Sequence, residues 1–169
     1  MNQTLSAWNE STESAALEAM LACCGARRWG EAMVALRPIA NVVELSLAAD
    51  RIWDTMREPD WMEAFACHPI IGGRKAPHAS QKSIAWSQQE QSSAASAAGQ
   101  TLSELAAGNA LYEQRFGFTY IVCATGKTAE EMLAILNRRL ANNRATEVRE
   151  AAEQQRQITQ IRLGKWLIE

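Results

Sequence analysis

His68 is the residue best suited to transferring a proton. It is one of two histidines in the 169-residue sequence. Imidazole titrates near neutral pH, so a histidine held in a fixed position is a natural acid or base. Pro69 follows it and disfavours helical backbone at the preceding residue, which predicts that a helix ends there. Gly72 and Gly73 then permit a sharp turn. From this stretch alone, the simpler interpretation is that His68 only covers the end of a helix.

Three further places carry groups for binding or catalysis. Glu90 and Gln91 fall in the first turn of a predicted helix that Ser87 would cap. The stretch from Phe116 to Ile121 breaks the helical pattern and offers main-chain N–H and C=O groups. Arg162 places a fork of hydrogen-bond donors on an otherwise apolar helical stripe.

Each of these places also has a purely structural interpretation. Glu90 would complete a capping box with Ser87, which is the better interpretation on local evidence. Arg162 would reach solvent or pair with a structural carboxylate, an alternative of about equal weight to substrate binding. Phe116 and Phe118 are more typical of a core than of a stacking platform.

The sequence contains few residues arranged for thiol catalysis or for metal binding. The four cysteines include no Cys-x-x-Cys pair, and with no secretory signal they are expected to be reduced thiols. Cys67 is a candidate nucleophile beside His68, but a buried inert thiol is the commoner state. His78 falls in a polar loop and is expected to be solvated. We predict no zinc site and no other metal centre.

Composition narrows the class of protein. Hydrophobic residues make up 47% and charged residues 21% of the sequence, and the net charge is −2. This is ordinary globular composition, with no basic footprint for nucleic acid. No apolar run approaches the roughly 20 residues of a membrane-spanning helix. We therefore expect one cytoplasmic domain over residues 1–169, with no nucleic-acid or membrane partner.

The elements that must position these residues are helices. Apolar residues recur at three- and four-residue spacings, and capping signals at Thr12, Asn41, Ser87, Thr101 and Thr128 divide the pattern. The fold class is all-α, with about eight helices and one short extended, buried segment near Phe116 to Cys123.

Two predicted features bear directly on the site. Residues 74–86 read as a polar loop, followed by an alanine-rich helix that ends near Gly99. The final helix runs from about Thr146 and carries a stripe on one face. The stripe comprises Ala151, Gln155, Ile158, Arg162 and Trp166.

Taken together, the motifs resemble a known family. In order along the chain they are His68-Pro69-Ile70-Ile71-Gly72, Trp86-Ser87-Gln88-Gln89-Glu90-Gln91, Tyr112-Glu113-Gln114-Arg115-Phe116-Gly117-Phe118, Arg138-Arg139-Leu140 with Glu147, and Ile158-Thr159-Gln160-Ile161-Arg162-Leu163. The ordered set resembles the 2-oxo-4-hydroxy-4-carboxy-5-ureidoimidazoline (OHCU) decarboxylases, from about Trp29 to Trp166. That family is all-α.

The resemblance implies a lyase of urate degradation. The substrate would be a small anionic ureido-imidazoline that loses CO2 and is protonated on one face to give (S)-allantoin. The resemblance implies no cofactor, because the conjugated ring of the substrate can hold the electron pair that CO2 leaves behind. Members of the family can be homodimers.

The resemblance also implies roles for individual residues. His68 would be the principal acid/base, Glu90 a second catalytic residue, and Arg162 the anchor for the substrate. Further residues are expected to support the reaction, either by contacting the substrate through side-chain or main-chain groups or by fixing His68. These residues are Ser87, Gln91, Pro69, Phe118 and Ile121. Ile70 is apolar where many relatives have a charged residue, and we expect it to face away from the chemistry.

Other classes of function stay open at this stage. The main alternative is a catalytically inactive all-helical ligand-binding or interaction protein of the same fold. A second is a decarboxylase or hydrolase of a related ureido compound, and a zinc or thiol enzyme is a distant third. The short, basic 74–86 stretch and the lack of a peroxisomal Ser-Lys-Leu signal favour a bacterial cytoplasmic protein.

Overall fold

A computed structural model describes residues 2–71, 79–92 and 99–169. Over these residues the protein is all-helical and contains no strand, which confirms the predicted fold class. No helix among them is both long and apolar enough to cross a bilayer. The helices are α1 (Gln3–Glu10), α2 (Glu13–Cys23), α3 (Arg27–Ala35), α4 (Val42–Trp53), α5 (Glu58–Ala66), α6 (Gln81–Glu90), α7 (Gly99–Phe116), α8 (Ala129–Arg139) and α9 (Arg144–Trp166).

Three of the predicted helix starts are confirmed by side-chain caps. Thr12 accepts a hydrogen bond from the Ala15 N–H and Asn41 accepts one from the Glu44 N–H, at the starts of α2 and α4. Thr128 opens α8 with a complete capping box, in which the side chain of its N3 glutamate also accepts from the Thr128 N–H. These caps satisfy N–H groups that the first turn of a helix leaves unpaired.

Helix α1 was not predicted from the sequence. Asn2 caps this eight-residue helix by accepting a hydrogen bond from the Leu5 N–H, and the helix buries Leu5 and Trp8. The prediction of about eight helices falls short by this element.

The start of α6 corrects two predictions. Ser80, not Ser87, is the N-cap, and its side chain accepts a hydrogen bond from the Ser83 N–H at 3.1 Å. The predicted polar loop is therefore wrong over residues 81–86, which are helical. Gly72, Gly73 and His78 lie outside the described residues, as do residues 93–98 of the predicted alanine-rich helix.

The chain divides into two compact units. The terminal unit comprises Met1–Ala64 with Arg156–Glu169, and the central unit comprises Phe65–Gln155. In the terminal unit, α1 packs on α2, α2 on α3 and α3 on α4. The rings of Trp8 and Trp166 meet edge to face at 6.1 Å, and the indole N–H of the fully buried Trp29 donates to the Ala49 carbonyl.

The central unit is organised around the packing of α7 on α8. At Gly108 a Cβ atom would lie 2.6 Å from Leu136 Cδ2, so the glycine permits this close approach. Gly117, at φ +83°, ends α7 in the left-handed region that favours glycine. Residues 119–124 then continue without helix or strand, and residues 120–124 are buried.

The stripe predicted for the last helix is confirmed as buried. Each of its residues in α9 is at most 5% exposed, including Gln155 at 0% and Arg162 at 1%. Two polar side chains on a covered face need polar partners, because burying such a group without one is costly.

Candidate functional site

His68 lies where the sequence predicts, at the junction after α5. The helix ends at Ala66, and the His68 N–H closes the turn by donating to the Phe65 carbonyl at 3.1 Å. The Phe65 ring in turn packs 5.2 Å from the Phe118 ring. Pro69 follows with non-helical backbone, and the His68 side chain is half-buried. The main chain at His68 is therefore held from both sides.

The ring of His68 is held as well. Its Nε2 atom lies 2.7 Å from Oε1 of Gln155 in α9, and the Gln155 side chain is fully buried. The amide oxygen of glutamine can only accept a hydrogen bond. With that oxygen facing the ring, Nε2 is the nitrogen that donates.

The end of α6 brings together the polar residues of the second motif. Ser87 is 1% exposed, Glu90 is the last residue of the helix, and Gln91 is its C-cap. Positions three and four residues apart share a helix face, so these side chains are neighbours. The capping-box interpretation of Glu90 is therefore wrong, because a box requires the start of a helix. A carboxylate at a helix C-terminus instead opposes the helix dipole.

Residues 119–124 are fixed through their main chain. The Cys123 N–H donates to the Gln154 side chain at 2.9 Å, and its carbonyl accepts from Lys127 Nζ at 2.8 Å. Burial raises the pKa of the Cys123 thiol; the charge of Lys127 and a main-chain hydrogen bond from Thr125 act against the rise. The charge of the Glu90 carboxylate adds to the rise in the pKa of Cys123.

A buried ionic network holds the middle of the same segment. Arg139 Nη1 donates to the Ile121 carbonyl at 2.6 Å, and Arg139 Nε donates to Glu147 at 2.7 Å. The Tyr112 hydroxyl donates to the same carboxylate, and the Tyr120 ring lies 4.9 Å from the guanidinium. The Arg139 and Glu147 side chains are both fully buried. The Ile121 carbonyl is thus occupied by the protein itself.

The network shifts the titration of its members. Burial raises the pKa of Tyr112 far above its ordinary range, Arg139 opposes the rise, and the hydrogen bond to Glu147 adds to it. Burial likewise raises the pKa of Tyr120, again against the charge of Arg139. Burial lowers the pKa of Arg139, but Glu147 and the two tyrosines outweigh this and raise it overall. The arginine stays charged and both phenols stay neutral.

The structure brings most of the predicted positions into the central unit. It contains His68, Pro69, Ser87, Glu90, Gln91, Phe118 and Ile121. Phe118 is 6% exposed and packs against Phe65, Tyr112 and Phe116, so its ring belongs to the core. Arg162 falls in the terminal unit, where it is buried in α9. Over the described residues, no three His, Cys, Asp or Glu side chains form a group that could hold a metal ion.

The sequence analysis gave no functional role to the residues that hold this site together. Gln155 was visible as a polar member of an apolar stripe, the same signal that singled out Arg162. Arg139 and Glu147 were visible only as motif residues. The identity of their partners, Tyr112 and the Ile121 carbonyl, has no local signal in the sequence.

Comparison with known proteins decides the family. A family model described as OHCU decarboxylase matches residues 9–164. The chain belongs to the OHCU decarboxylase family. Its relatives include a uric acid degradation bifunctional protein of Arabidopsis thaliana, 36% identical over 144 residues, which cover 85% of this chain and 44% of that protein. The chain thus spans less than half the length of this relative.

Two further OHCU decarboxylases match over most of their length. The 2-oxo-4-hydroxy-4-carboxy-5-ureidoimidazoline decarboxylase of Amia calva is 33% identical over 135 residues, covering 75% of this chain and 73% of that protein. A crystal structure of OHCU decarboxylase in the presence of (S)-allantoin aligns with a TM-score of 0.77 at 32% identity, covering 94% of this chain and 100% of that one. Family and fold therefore agree.

Proposed function

We propose that the protein catalyses the decarboxylation of OHCU to (S)-allantoin in urate degradation. Membership of the OHCU decarboxylase family gives the reaction class, and the observation that carries the proposal is the fixed His68 ring with Glu90 at the end of α6. In the reaction the C–C bond to the carboxylate breaks and its electron pair moves into the conjugated ring. CO2 leaves, and a proton is added to one face of the same carbon.

His68 is the acid/base residue in this proposal. Its main chain is fixed by the Phe65 carbonyl and by Pro69, and its ring is fixed by Gln155. A rigid proton carrier adds its proton from one side only, as a single stereoisomer requires. Pro69 contributes by setting the backbone of His68.

Glu90 is the second catalytic residue. Its carboxylate lies at the C-terminal end of α6, where it opposes the helix dipole. A charge that is unfavourable for the helix supports a role in the reaction, by orienting the ureido group or by crowding the carboxylate that departs. Ser87 and Gln91, on the same face, supply supporting polar contacts.

Arg162 anchors the substrate. Its guanidinium is 1% exposed, and its planar fork suits paired oxygen acceptors such as a carboxylate. The main chain near Phe118 and Ile121 binds the ring of the substrate. The Ile121 carbonyl also accepts a hydrogen bond from Arg139, which fixes this part of the segment.

The reaction needs no cofactor in this proposal, because the substrate ring is its own electron sink.

We further propose a bacterial, cytoplasmic protein that forms a homodimer. No disulfide joins the four cysteines, all of which lie among the described residues, and this supports a reducing compartment. Size-exclusion chromatography with light scattering tests the homodimer.

Circular dichroism during urate breakdown tests the activity. Urate oxidase and hydroxyisourate hydrolase generate the unstable substrate in the cuvette, and the protein is then added. We expect the (S)-allantoin signal to appear rapidly with the wild type and at the spontaneous rate with H68A. A wild-type rate equal to the spontaneous decay would contradict the proposal and favour an inactive binding protein of the same fold.

A further inference from the structure

We infer that Gln155 is a positioning residue that holds His68 in the Nε2–H tautomer, so that Nδ1 is the nitrogen that exchanges a proton with the substrate. This inference rests on the proposed function for its catalytic meaning. The tautomer itself is a property of the folded protein and is measurable without turnover.

The contact between the two side chains carries the inference. Gln155 Oε1 lies 2.7 Å from His68 Nε2, a short distance for a hydrogen bond between neutral groups. Gln155 is fully buried on the apolar stripe of α9, beside Ala151 and Ile158. A buried amide oxygen without a donor is costly, so the environment of Gln155 itself favours the tautomer that donates from Nε2.

The main chain leaves the ring one important freedom, which Gln155 removes. The hydrogen bond to Phe65 and the following Pro69 fix the backbone of His68. Rotation of the imidazole by about 180° about its Cβ–Cγ bond would still exchange Nδ1 with Cδ2 and Nε2 with Cε1, so that a C–H group would face Gln155. Only the observed orientation presents an N–H group to Gln155 Oε1, so this contact favours it. Since Nε2 keeps its proton for Gln155, proton exchange falls to Nδ1.

A neutral acceptor suits a residue that changes charge. Nε2 carries a proton in both the neutral ring and the imidazolium, so its hydrogen bond to Gln155 persists in both states. The ring therefore need not move when Nδ1 gains or loses its proton. A carboxylate in place of the amide would favour the charged ring over the neutral one.

Nitrogen-15 NMR of histidine-labelled protein tests the tautomer directly. The chain has only two histidines, so an H78Q background leaves a single imidazole to observe. At a pH about two units above the ordinary histidine pKa of about 6.5, the neutral ring reports its tautomer through the two nitrogen shifts. We expect the Nε2–H form to dominate. A dominant Nδ1–H form would overturn the inference outright.

Gln155→Met tests whether the amide is responsible. Methionine has similar length but no strong acceptor, so we expect a mixture of tautomers. We expect kcat to fall by about tenfold to a hundredfold, less than the full contribution of an acid/base group of about 10²–10⁴-fold. KM should change less than twofold, since the substrate contacts remain. An unchanged tautomer together with an unchanged kcat would contradict the inference.

Two matched variants separate positioning from stability. Gln155→Glu keeps an acceptor toward Nε2 and, at a pH high enough to keep the ring neutral beside the carboxylate, should restore the Nε2–H form that Gln155→Met loses. Gln160→Met is the control in the same helix: it removes hydrogen bonds to Ser46 and Asp50 but not the partner of His68. We expect it to lower the melting temperature while the His68 tautomer and kcat stay unchanged. If Gln160→Met mixed the tautomers equally, general loosening of α9 would be the cause and the inference would fail.

The two proposals fail in different ways. If the wild type shows no decarboxylation but the Nε2–H tautomer depends on Gln155, the proposed function is wrong and the structural part of the inference stands. If decarboxylation is normal and the tautomer is independent of Gln155, the proposed function stands and the inference is wrong.

Discussion

Arg139 and His68 are both held by buried partners in the central unit, but in opposite ways. Arg139 is surrounded by a carboxylate, a carbonyl and two phenol rings, and every strong contact depends on its permanent charge. The described contact of the His68 ring is with the neutral amide of Gln155.

The difference between the two contacts fits the roles proposed for Arg139 and His68. A buried ion pair adds little net stability when formed but is costly to break, so it suits a group whose charge never changes. A neutral partner tolerates both charge states and suits a group that exchanges protons. We infer that Arg139 maintains the shape of the 119–124 segment, whereas the His68 contact is compatible with the proton transfer proposed for His68. Four experiments test this division of roles.

His68→Ala should have the largest effect, and mainly on activity. Loss of the acid/base group should lower kcat by about 10²–10⁴-fold. The free energy of unfolding should fall by only about 1 kcal/mol, because Gln155 loses its partner. The circular dichroism assay and urea unfolding measure the two quantities. Turnover close to the wild type would remove His68 from the mechanism.

Arg139→Met should have the next largest effect, on stability. It leaves the Glu147 carboxylate buried without its ion-pair partner, a loss of about 3–5 kcal/mol. Arg138→Met is the matched control. The Arg138 side chain is 60% exposed and pairs with Glu150 at the surface. That change should cost no more than about 1 kcal/mol in urea unfolding. Equal losses for the two arginines would show that the buried network does not stabilise the fold.

Glu90→Gln should separate activity from stability. Removing the charge should lower kcat by about 10²-fold, the lower end of an acid–base contribution. The free energy of unfolding should rise by about 0.3–1 kcal/mol, because the carboxylate no longer opposes the dipole of α6. Glu131→Gln, in the capping box of α8, should not raise stability. Normal turnover in Glu90→Gln would make Glu90 a surface residue without a catalytic role.

Alkaline titration tests the buried network around Arg139 and perturbs the protein least of the four experiments. Tyr112 and Tyr120 are the only two tyrosines in the sequence, and burial raises the pKa of both. The unfolded chain therefore releases these protons first, so stability falls as pH rises above about 10. The loss should be about 1.4 kcal/mol per pH unit for each tyrosine. Tyrosinate absorbance should appear only together with loss of helical circular dichroism.

A Tyr112→Phe variant sharpens this titration. It removes one of the two titrating groups, so the alkaline slope of stability should halve. Tyrosinate absorbance that rises near pH 10 while the protein stays folded would show that the phenols are accessible and that the network is loose.

Whether a contact can be predicted from the sequence depends on how far apart its two residues lie along the chain. Caps such as Thr128 are predictable because donor and acceptor lie within three residues. The N-cap of α6 was predicted at Ser87, but Ser80, seven residues earlier, is also a serine that can cap a helix. Only the burial of Ser83 and Trp86 in a continuous helix distinguishes the two serines. The partner of His68 lies 87 positions away, so a buried glutamine could be seen but not paired. Helix α1 was missed although its Asn2 cap is local; the contact that anchors Asn2 to the Leu167 carbonyl lies 165 positions away.

The division of the chain has a consequence for its synthesis. The central unit is one continuous stretch, Phe65–Gln155, whereas the terminal unit needs residues 156–169 as well as the first 64. At about 5–20 residues per second, a ribosome takes roughly 5–20 s to make the stretch between them. During that interval Trp8 lacks the Trp166 ring that covers it in the finished protein. The helices of residues 1–64 are therefore among the last to gain their full packing, although they are made before the central unit, and in that interval they are natural clients for a chaperone.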